Sequence, residues 1–272
     1  MVKVDEKKCT VCGLCVSDCS RKAITIGSEK LLLNREVCNL CGHCVAICPM
    51  DAVVIEGTDM EDVESSNLKD SALDPESLMR AIKGRRSVRF FKDQEIEQEK
   101  IDKIIQAGRY SPTASNNQGV SYVVVRDKIQ ELRILGFEGL KMLGESTLAN
   151  PSSSQQQKNT AKKWIAMHDN YHNNPGKDRS LFYNSPLIIV IVGDNDVDGS
   201  LAASKMELMV YALGLGMIYS GFFTRAAKIY NKINEFLRIP ENRKVVTCLV
   251  IGYPDIDYKR TCPRKKAEVM YI

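Results

Sequence analysis

Eight cysteines in the first 48 residues are spaced for metal chemistry rather than for packing. They form two runs, Cys9-x2-Cys12-x2-Cys15-x3-Cys19 and Cys38-x2-Cys41-x2-Cys44-x3-Cys48, the second followed by Pro49. The flanks repeat too: CSRKAITIG follows one run as CPMDAVVIEG follows the other, an internal duplication with a period of 29 residues. Three cysteines with two residues between them wrap a loop around one iron–sulfur cluster, and a fourth, further on, reaches the other cluster. Disulfides suit small secreted domains, and zinc ribbons use two CxxC pairs across a longer spacer. Neither fits this spacing. Such clusters do one-electron chemistry, so the destination of the electrons must lie elsewhere in the chain.

The next stretch that could do chemistry is GRRSVRFFKD, Gly84–Asp93. Arg85, Ser87 and Arg89 are alternate residues, so an extended segment turns all three to one side. Two guanidiniums and a hydroxyl suit a dianionic phosphate, through charge-assisted bidentate bonds. A solvated basic edge is the competing reading. SPTASNNQ, Ser111–Gln118, is a turn-rich loop carrying amides and hydroxyls, and Pro263-Arg264-Lys265-Lys266 is a late basic cluster. Within the polar stretch 145–180, Trp164, His168, Tyr171 and His172 share one helical face. That face is either a lid, with His168 or Tyr171 giving a proton to a reduced substrate, or a helix that packs Trp164 and exposes its histidines. The second is expected, because isolated histidines are more often structural. Cys248, in KVVTCLVIG, is expected to be a buried strand residue.

The elements that must position these groups follow from punctuation and periodicity. Residues 58–73, TDMEDVESSNLKDSAL, carry a net charge of −4 and no apolar period, which reads as a linker. Asp74-Pro75-Glu76 announces a helix: an N-cap acceptor, proline in the first turn and an acid at the positive end. A helix near 95–109, a strand near 120–126 and helical stretches to about 145 follow. After the polar stretch come a buried strand at 187–193, helices near 199–214 and 222–237, and a last strand at 244–253. Continuous β-branched runs suggest strands covered by helices on both faces. The chain thus divides into 1–57, a linker at 58–73, and an α+β domain at 74–272.

Composition sets bounds. The 272 residues are 44% hydrophobic, enough for a sizeable core. The start MVKVDEKKC has no apolar h-region, so no signal peptide is expected. The longest apolar-rich run, Leu208–Phe223, has sixteen residues, short of the ~20 that a membrane span requires. A cytoplasmic protein with no membrane association is expected. Residues 74–272 carry a net charge of +8. With no helix-turn-helix, zinc-finger or RNP pattern, that excess points to anionic cofactors rather than nucleic acid.

Two resemblances follow from these motifs. Residues 1–57 resemble the bacterial-type ferredoxin with two 4Fe–4S clusters. That implies cluster I on Cys9, Cys12, Cys15 and Cys48, and cluster II on Cys38, Cys41, Cys44 and Cys19. Ser20 stands where that family has proline, a change that removes no ligand. Residues 74–272 resemble the FMN-dependent nitroreductase family, whose RRSxRxF-like segment, SPSxxNxQ loop, LGLG…GF segment and late basic pair all occur here in order. That implies a three-layer α/β/α domain with a central, mainly antiparallel sheet, and FMN as cofactor. By the same resemblance Arg85, Ser87 and Arg89, joined by Arg264 and Lys266, hold the FMN phosphate and ribityl chain. Thr113, Ser115 and Asn116 lie beside the flavin, partly from a partner subunit, and Ser220 and Gly221 face the isoalloxazine near N5 and O4. An intertwined homodimer is implied. Gly119-Val120 replaces the family's Pro-Trp, opening the region beside the flavin, and Ser220 replaces a commonly acidic residue. Gly214, Gly216 and Gly221 follow a helix and do not form a dinucleotide fingerprint, so nicotinamide would act by stacking on the flavin.

The expected function is an iron–sulfur flavoenzyme. Electrons pass from a ferredoxin-type donor through the two clusters to FMN, which reduces a small organic acceptor: a nitro compound, quinone or activated alkene. The alternatives are an electron-transfer module between NAD(P)H and an iron–sulfur carrier, and a flavin-binding or remodelling protein.

Overall fold

The computed structural model describes residues 1–28, 30–65, 73–175 and 178–272. Its contacts divide the chain into two units, Met1–Leu73 with Thr113–Asn117, and Asp74–Pro112 with Gln118–Ile272. Of the expected acidic linker, residues 66–72 lie outside the described residues.

The first unit is built twice from the same plan. Its elements are β1 (Val2–Val4), α1 (Leu14–Ser17), β2 (Ile24–Ile26), β3 (Leu31–Leu33), α2 (His43–Ala46) and β4 (Val53–Ile55). β1 pairs antiparallel with β4, Val2 opposite Ile55, and β2 pairs antiparallel with β3, Ile24 opposite Leu33. The duplication persists in the backbone. Gly13 and Gly42 precede α1 and α2, each at φ +80°, a conformation that glycine adopts without a Cβ penalty. Val11 and Leu40 match at 52° and 55°, and Lys22 and Asp51 at 52° and 47°. A small apolar cluster of Val2, Val53 and Ile55 packs against Cys38, Cys44 and Cys48.

The second unit begins with α3 (Pro75–Gly84), where the Asp74 side chain accepts from Ser77 N at 2.8 Å and Pro75 takes the first turn. It continues with α4 (Gln98–Arg109), β5 (Ser121–Val125), α5 (Ile129–Ala149), α6 (Gln155–Asn173), β6 (Leu187–Gly193) and α7 (Asp196–Ala212). β7 (Gly216–Tyr219), α8 (Gly221–Ile229), α9 (Asn231–Phe236) and β8 (Lys244–Gly252) complete it. The sheet runs β5-β6-β8-β7, antiparallel throughout. Every residue of β6 is buried, because its two faces meet different layers. Ile188, Val190 and Val192 join α5, α8 and α9 in one core, whereas Leu187, Ile189 and Ile191 join α4 and α7 in the other. This is the α+β, three-layer architecture expected. Among the described residues no helix is long and apolar enough to cross a membrane.

One local reading is extended and two change. The polar stretch 145–180 is largely helix: Ser154 and Gln157 form a capping box that starts α6. α6 approaches α5 so closely at Gly144 that a Cβ there would lie 2.9 Å from Ala161 O. The expected helix 222–237 is two helices, because Tyr230 is extended at φ −108° and ψ 92°. Strand β7 is not foreseen by the periodicity. Gly214, at φ +73°, turns the chain out of α7 and into it.

Candidate functional site

The first unit gathers its cysteines into two groups of four. Cys19, Cys38, Cys41 and Cys44 line a cavity of about 250 Å³. Cys9, Cys12, Cys15 and Cys48 line a second, drawn in to about 20 Å³. Each group therefore takes three cysteines from one run and the last from the other. The repeat is kept in the bonding, since Ala23 N donates to Cys19 Sγ (3.2 Å) and Ala52 N to Cys48 Sγ (3.4 Å). Such N–H···S bonds orient a thiolate and stabilise its charge. Burial, with Cys12, Cys9 and Cys48 nearby, pushes the Cys15 thiol up. Burial first and Cys41 second push Cys44 up to about 11. A bound metal reverses this, because a coordinating thiol is deprotonated outright. Among the described residues no group of three or more His, Cys, Asp or Glu side chains is arranged to hold a single metal ion. As donor sets the two four-cysteine groups fit iron–sulfur clusters. Cys248 is fully buried in β8, as its strand context predicts.

In the second unit the chemistry converges on β7. One edge of β7 pairs with β8, and the segment after α3 lies along the other: Ser87 bridges Met217 in parallel, and Val88 N donates to Met217 O at 3.0 Å. Val88 is buried against Gly216, where a Cβ would lie 2.6 Å from Val88 Cγ2. At the end of β7 stands Ser220, whose Oγ is buried without a hydrogen-bond partner. A buried hydroxyl with no partner costs ~1–3 kcal/mol, so this one fits a bound polar ligand. It precedes α8, whose first-turn N–H groups have no partner inside the helix. Arg225 Nη1 folds back to Gly221 O at 3.3 Å. Ser220 and Gly221 thus place a hydroxyl and unpaired first-turn backbone N–H groups together at the end of β7.

Arg85 is not a free cation. Its Nη1 lies 3.0 Å from Glu207 Oε1 of α7, with both side chains mostly covered. Burial holds the Glu207 carboxyl above its usual range, and Arg85 opposes the shift. Beside this pair a groove of about 100 Å³ is lined by Arg85, Arg86, Glu207 and Tyr258, with Arg86 5.6 Å from the centre of the Tyr258 ring. Arg86 and Glu207 were not singled out in the sequence: alternation points away from Arg86, and Glu207 comes from a helix that carries no motif. Arg89 is exposed, its Nη1 3.4 Å from Ser87 O. Arg264 and Lys266 lie in the exposed tail and do not line this groove.

The loop Thr113–Asn117 belongs by its contacts to the first unit. Asn116 Nδ2 donates to Asn39 O (3.2 Å) and Leu40 O (3.0 Å), and Asn39 Nδ2 donates to Ser115 O (3.3 Å). Tyr171 is a core residue, not a lid. Its ring stacks on Phe137 with centroids 4.4 Å apart, and its hydroxyl accepts from Gln130 Nε2 at 2.5 Å. His168 lies 2.9 Å from Asp169 and 3.5 Å from Glu138, the surroundings of a structural histidine.

Comparison with known proteins agrees with this layout. Residues 82–253 match the model of the nitroreductase family, and residues 8–57 match that of the 4Fe–4S dicluster domain. A protein of Archaeoglobus fulgidus, provisionally named NADH dehydrogenase/NAD(P)H nitroreductase, is 28% identical over 180 residues, which is 66% of this chain and 86% of that one. The FMN reductase [NAD(P)H] of Bacillus subtilis is 26% identical over 185 residues, 65% of this chain and 66% of that one. The crystal structure of a nitroreductase with bound FMN from Bacteroides fragilis superposes with a TM-score of 0.55 at 18% identity. It covers 72% of this chain and 97% of its own, a likeness of fold alone. With well over half of its residues matched, the chain belongs to the nitroreductase family and carries a 4Fe–4S dicluster domain at its N-terminal end.

Proposed function

We propose that this FMN-dependent oxidoreductase of the nitroreductase type takes electrons from a ferredoxin-type donor through two 4Fe–4S clusters to FMN, to reduce a small organic acceptor: a nitro compound, a quinone or an activated alkene. The observation that carries this reading is the pair of four-cysteine cavities in one chain with a nitroreductase domain. FMN, when bound, takes up single electrons and delivers a pair from N5, which joins cluster chemistry to two-electron reduction.

The protein's own groups bind and orient. Cys9, Cys12, Cys15 and Cys48 hold one cluster, and Cys19, Cys38, Cys41 and Cys44 the other. Arg85, Ser87 and Arg89 hold the phosphate and ribityl chain, with Arg264 and Lys266 contributed by the tail. Arg85 keeps guanidinium donors to spare beyond the one on Glu207. Thr113, Ser115 and Asn116 border the flavin, and Ser220 and Gly221 meet its ring edge. Protons come from solvent, since Tyr171 is buried in the core with its ring stacked on Phe137. We include in the proposal a cytoplasmic homodimer. The exposed Leu78, Met79 and Ile82 of α3 and the exposed tail Val269–Ile272 supply apolar surface for it.

The relatives named for NAD(P)H favour a second reading, in which nicotinamide reduces FMN and the clusters pass electrons out to a carrier. Anaerobic rapid mixing separates the two. Fast flavin reduction by a reduced ferredoxin, with none by NADH or NADPH, supports the first. Flavin reduction by nicotinamide before the clusters bleach overturns it in favour of the second.

A further inference from the structure

We propose that Arg21 and Arg35 set the order in which the two clusters fill. They hold cluster II, on Cys19, Cys38, Cys41 and Cys44, at a higher potential than cluster I, so the first electron to enter this unit rests on cluster II. This inference rests on the two-cluster part of the proposed function and concerns the cysteine-bearing unit alone.

The internal duplication provides the comparison. Its period of 29 residues carries over into the walls of the two cavities: Leu31 and Val53 on the cluster I side answer to Val2 and Ile24 on the cluster II side. Within this shared frame three lining positions change character. Met50, Leu14 and Thr10 of the cluster I cavity answer to Arg21, His43 and Asn39 of the cluster II cavity. Each exchange adds polarity or positive charge on the cluster II side. Arg35 also lines the cluster II cavity. Its equivalent is Glu6, which pairs with Lys30 at 3.6 Å and does not line the cluster I cavity. Apart from its cysteines, the cluster I cavity has no ionisable side chain in its wall among the described residues.

A thiolate-bound cluster is an anion and gains a further negative charge when reduced. Positive charge beside it stabilises the reduced form more than the oxidised one, and so does water that reaches it. Cluster II has both: two guanidiniums in its wall, and a cavity of about 250 Å³ against about 20 Å³. The apolar wall around cluster I keeps water out and its potential down. His43 is bonded to Asp18 at 3.1 Å, which sets a carboxylate beside the imidazole, so the two arginines carry the difference. Both arginines are exposed, and salt therefore screens their effect. In the first step cluster II gains one electron, the reduced iron–sulfur donor loses one, and no bond forms or breaks. An electron that enters at cluster I runs downhill to cluster II, and cluster I stays reduced only once cluster II is full.

The test is an anaerobic potentiometric titration of the holoprotein followed by EPR, which reads the clusters without turnover of any substrate. Wild-type protein is expected to give two one-electron steps at least tenfold apart in equilibrium constant, about 59 mV, and the gap narrows as salt is added. Arg21→Met and Arg35→Glu each install the residue of the first run. Combined, they are expected to lower the upper step and leave the lower one in place. Met50→Arg, the reciprocal change, is expected to raise the lower step. Arg21→Lys keeps the charge and is expected to keep the upper potential; a fall as large as in Arg21→Met assigns the effect to packing and overturns the inference. A single unresolved wave in the wild type, an upper step unmoved in the double variant, or a shift confined to the lower step overturns it too. If the double variant loses iron, Met50→Arg decides, and a lower step that does not move overturns the inference. Wild-type protein that binds only one cluster overturns the proposed function instead.

Discussion

At the scale of single residues, two side chains carry an energetic signature of what they await. The Ser220 hydroxyl is buried and unpartnered, so Ser220→Ala should stabilise the FMN-free protein by about 1 kcal/mol while weakening FMN retention. Denaturant unfolding of apoprotein and flavin release on dilution read the two effects separately. Arg85 has a different signature, because it neutralises Glu207 in a mostly covered pair. Arg85→Ala strands that carboxylate at a cost of about 3 kcal/mol, the low end for a buried pair since both side chains keep some solvent. The Glu207 carboxyl is already raised by burial. A raised folded-state pKa means stability present at low pH and lost as pH climbs from the ordinary carboxylate range through the folded value. Losing Arg85 raises it further. The variant should therefore be hurt more at pH 7 than at pH 5, and a pH series of unfolding midpoints checks this. The cysteine spacing and the Arg85–Arg89 segment were legible in the sequence. The Glu207 partner was not, because it lies more than a hundred residues away on a helix face.

At the scale of elements, β7 is the part that brings together the groups proposed to hold the flavin. It binds the Ser87–Val88 segment along one edge and delivers Ser220 at its end. The close approach depends on Gly216, where a Cβ would lie 2.6 Å from Val88 Cγ2. Gly216→Ala should push the segment off β7, destabilising the unit by ~1–3 kcal/mol and loosening FMN, as thermal melting and flavin release would show. Fluorescence titration giving unchanged FMN affinity would sink this account. The sequence concealed β7 for a physical reason. Four apolar residues between two helices have no period long enough to distinguish strand from helix. In the polar stretch 145–180 the shared face of Trp164, His168, Tyr171 and His172 pointed to the helix that the structure has. α6 buries only a narrow stripe, including Ala161 and Tyr171, so its composition reads as solvent-facing although its packing is helical.

At the scale of the whole molecule, the first unit has a small apolar cluster and two cysteine groups. A core of that size rarely stabilises a domain unaided, and metal ligation then contributes folding free energy directly. Cys41→Ala should lower bound iron by about half, lower the melting temperature of the first unit and leave the flavin bound. Iron assay and a calorimetric scan would show it; full loss of FMN would contradict the separation of the two cofactors. The sequence by itself determined the metal chemistry, the duplication, the order of the motifs and the α+β class, since these depend on local spacing, turn residues and periodicity. Only the tertiary structure decided that Arg85 is paired, that Tyr171 is core, and that Asn116 bonds to the second cysteine loop and not the first. Each of those is a contact between residues distant in the chain, and such contacts depend on how elements pack, which no local spacing encodes.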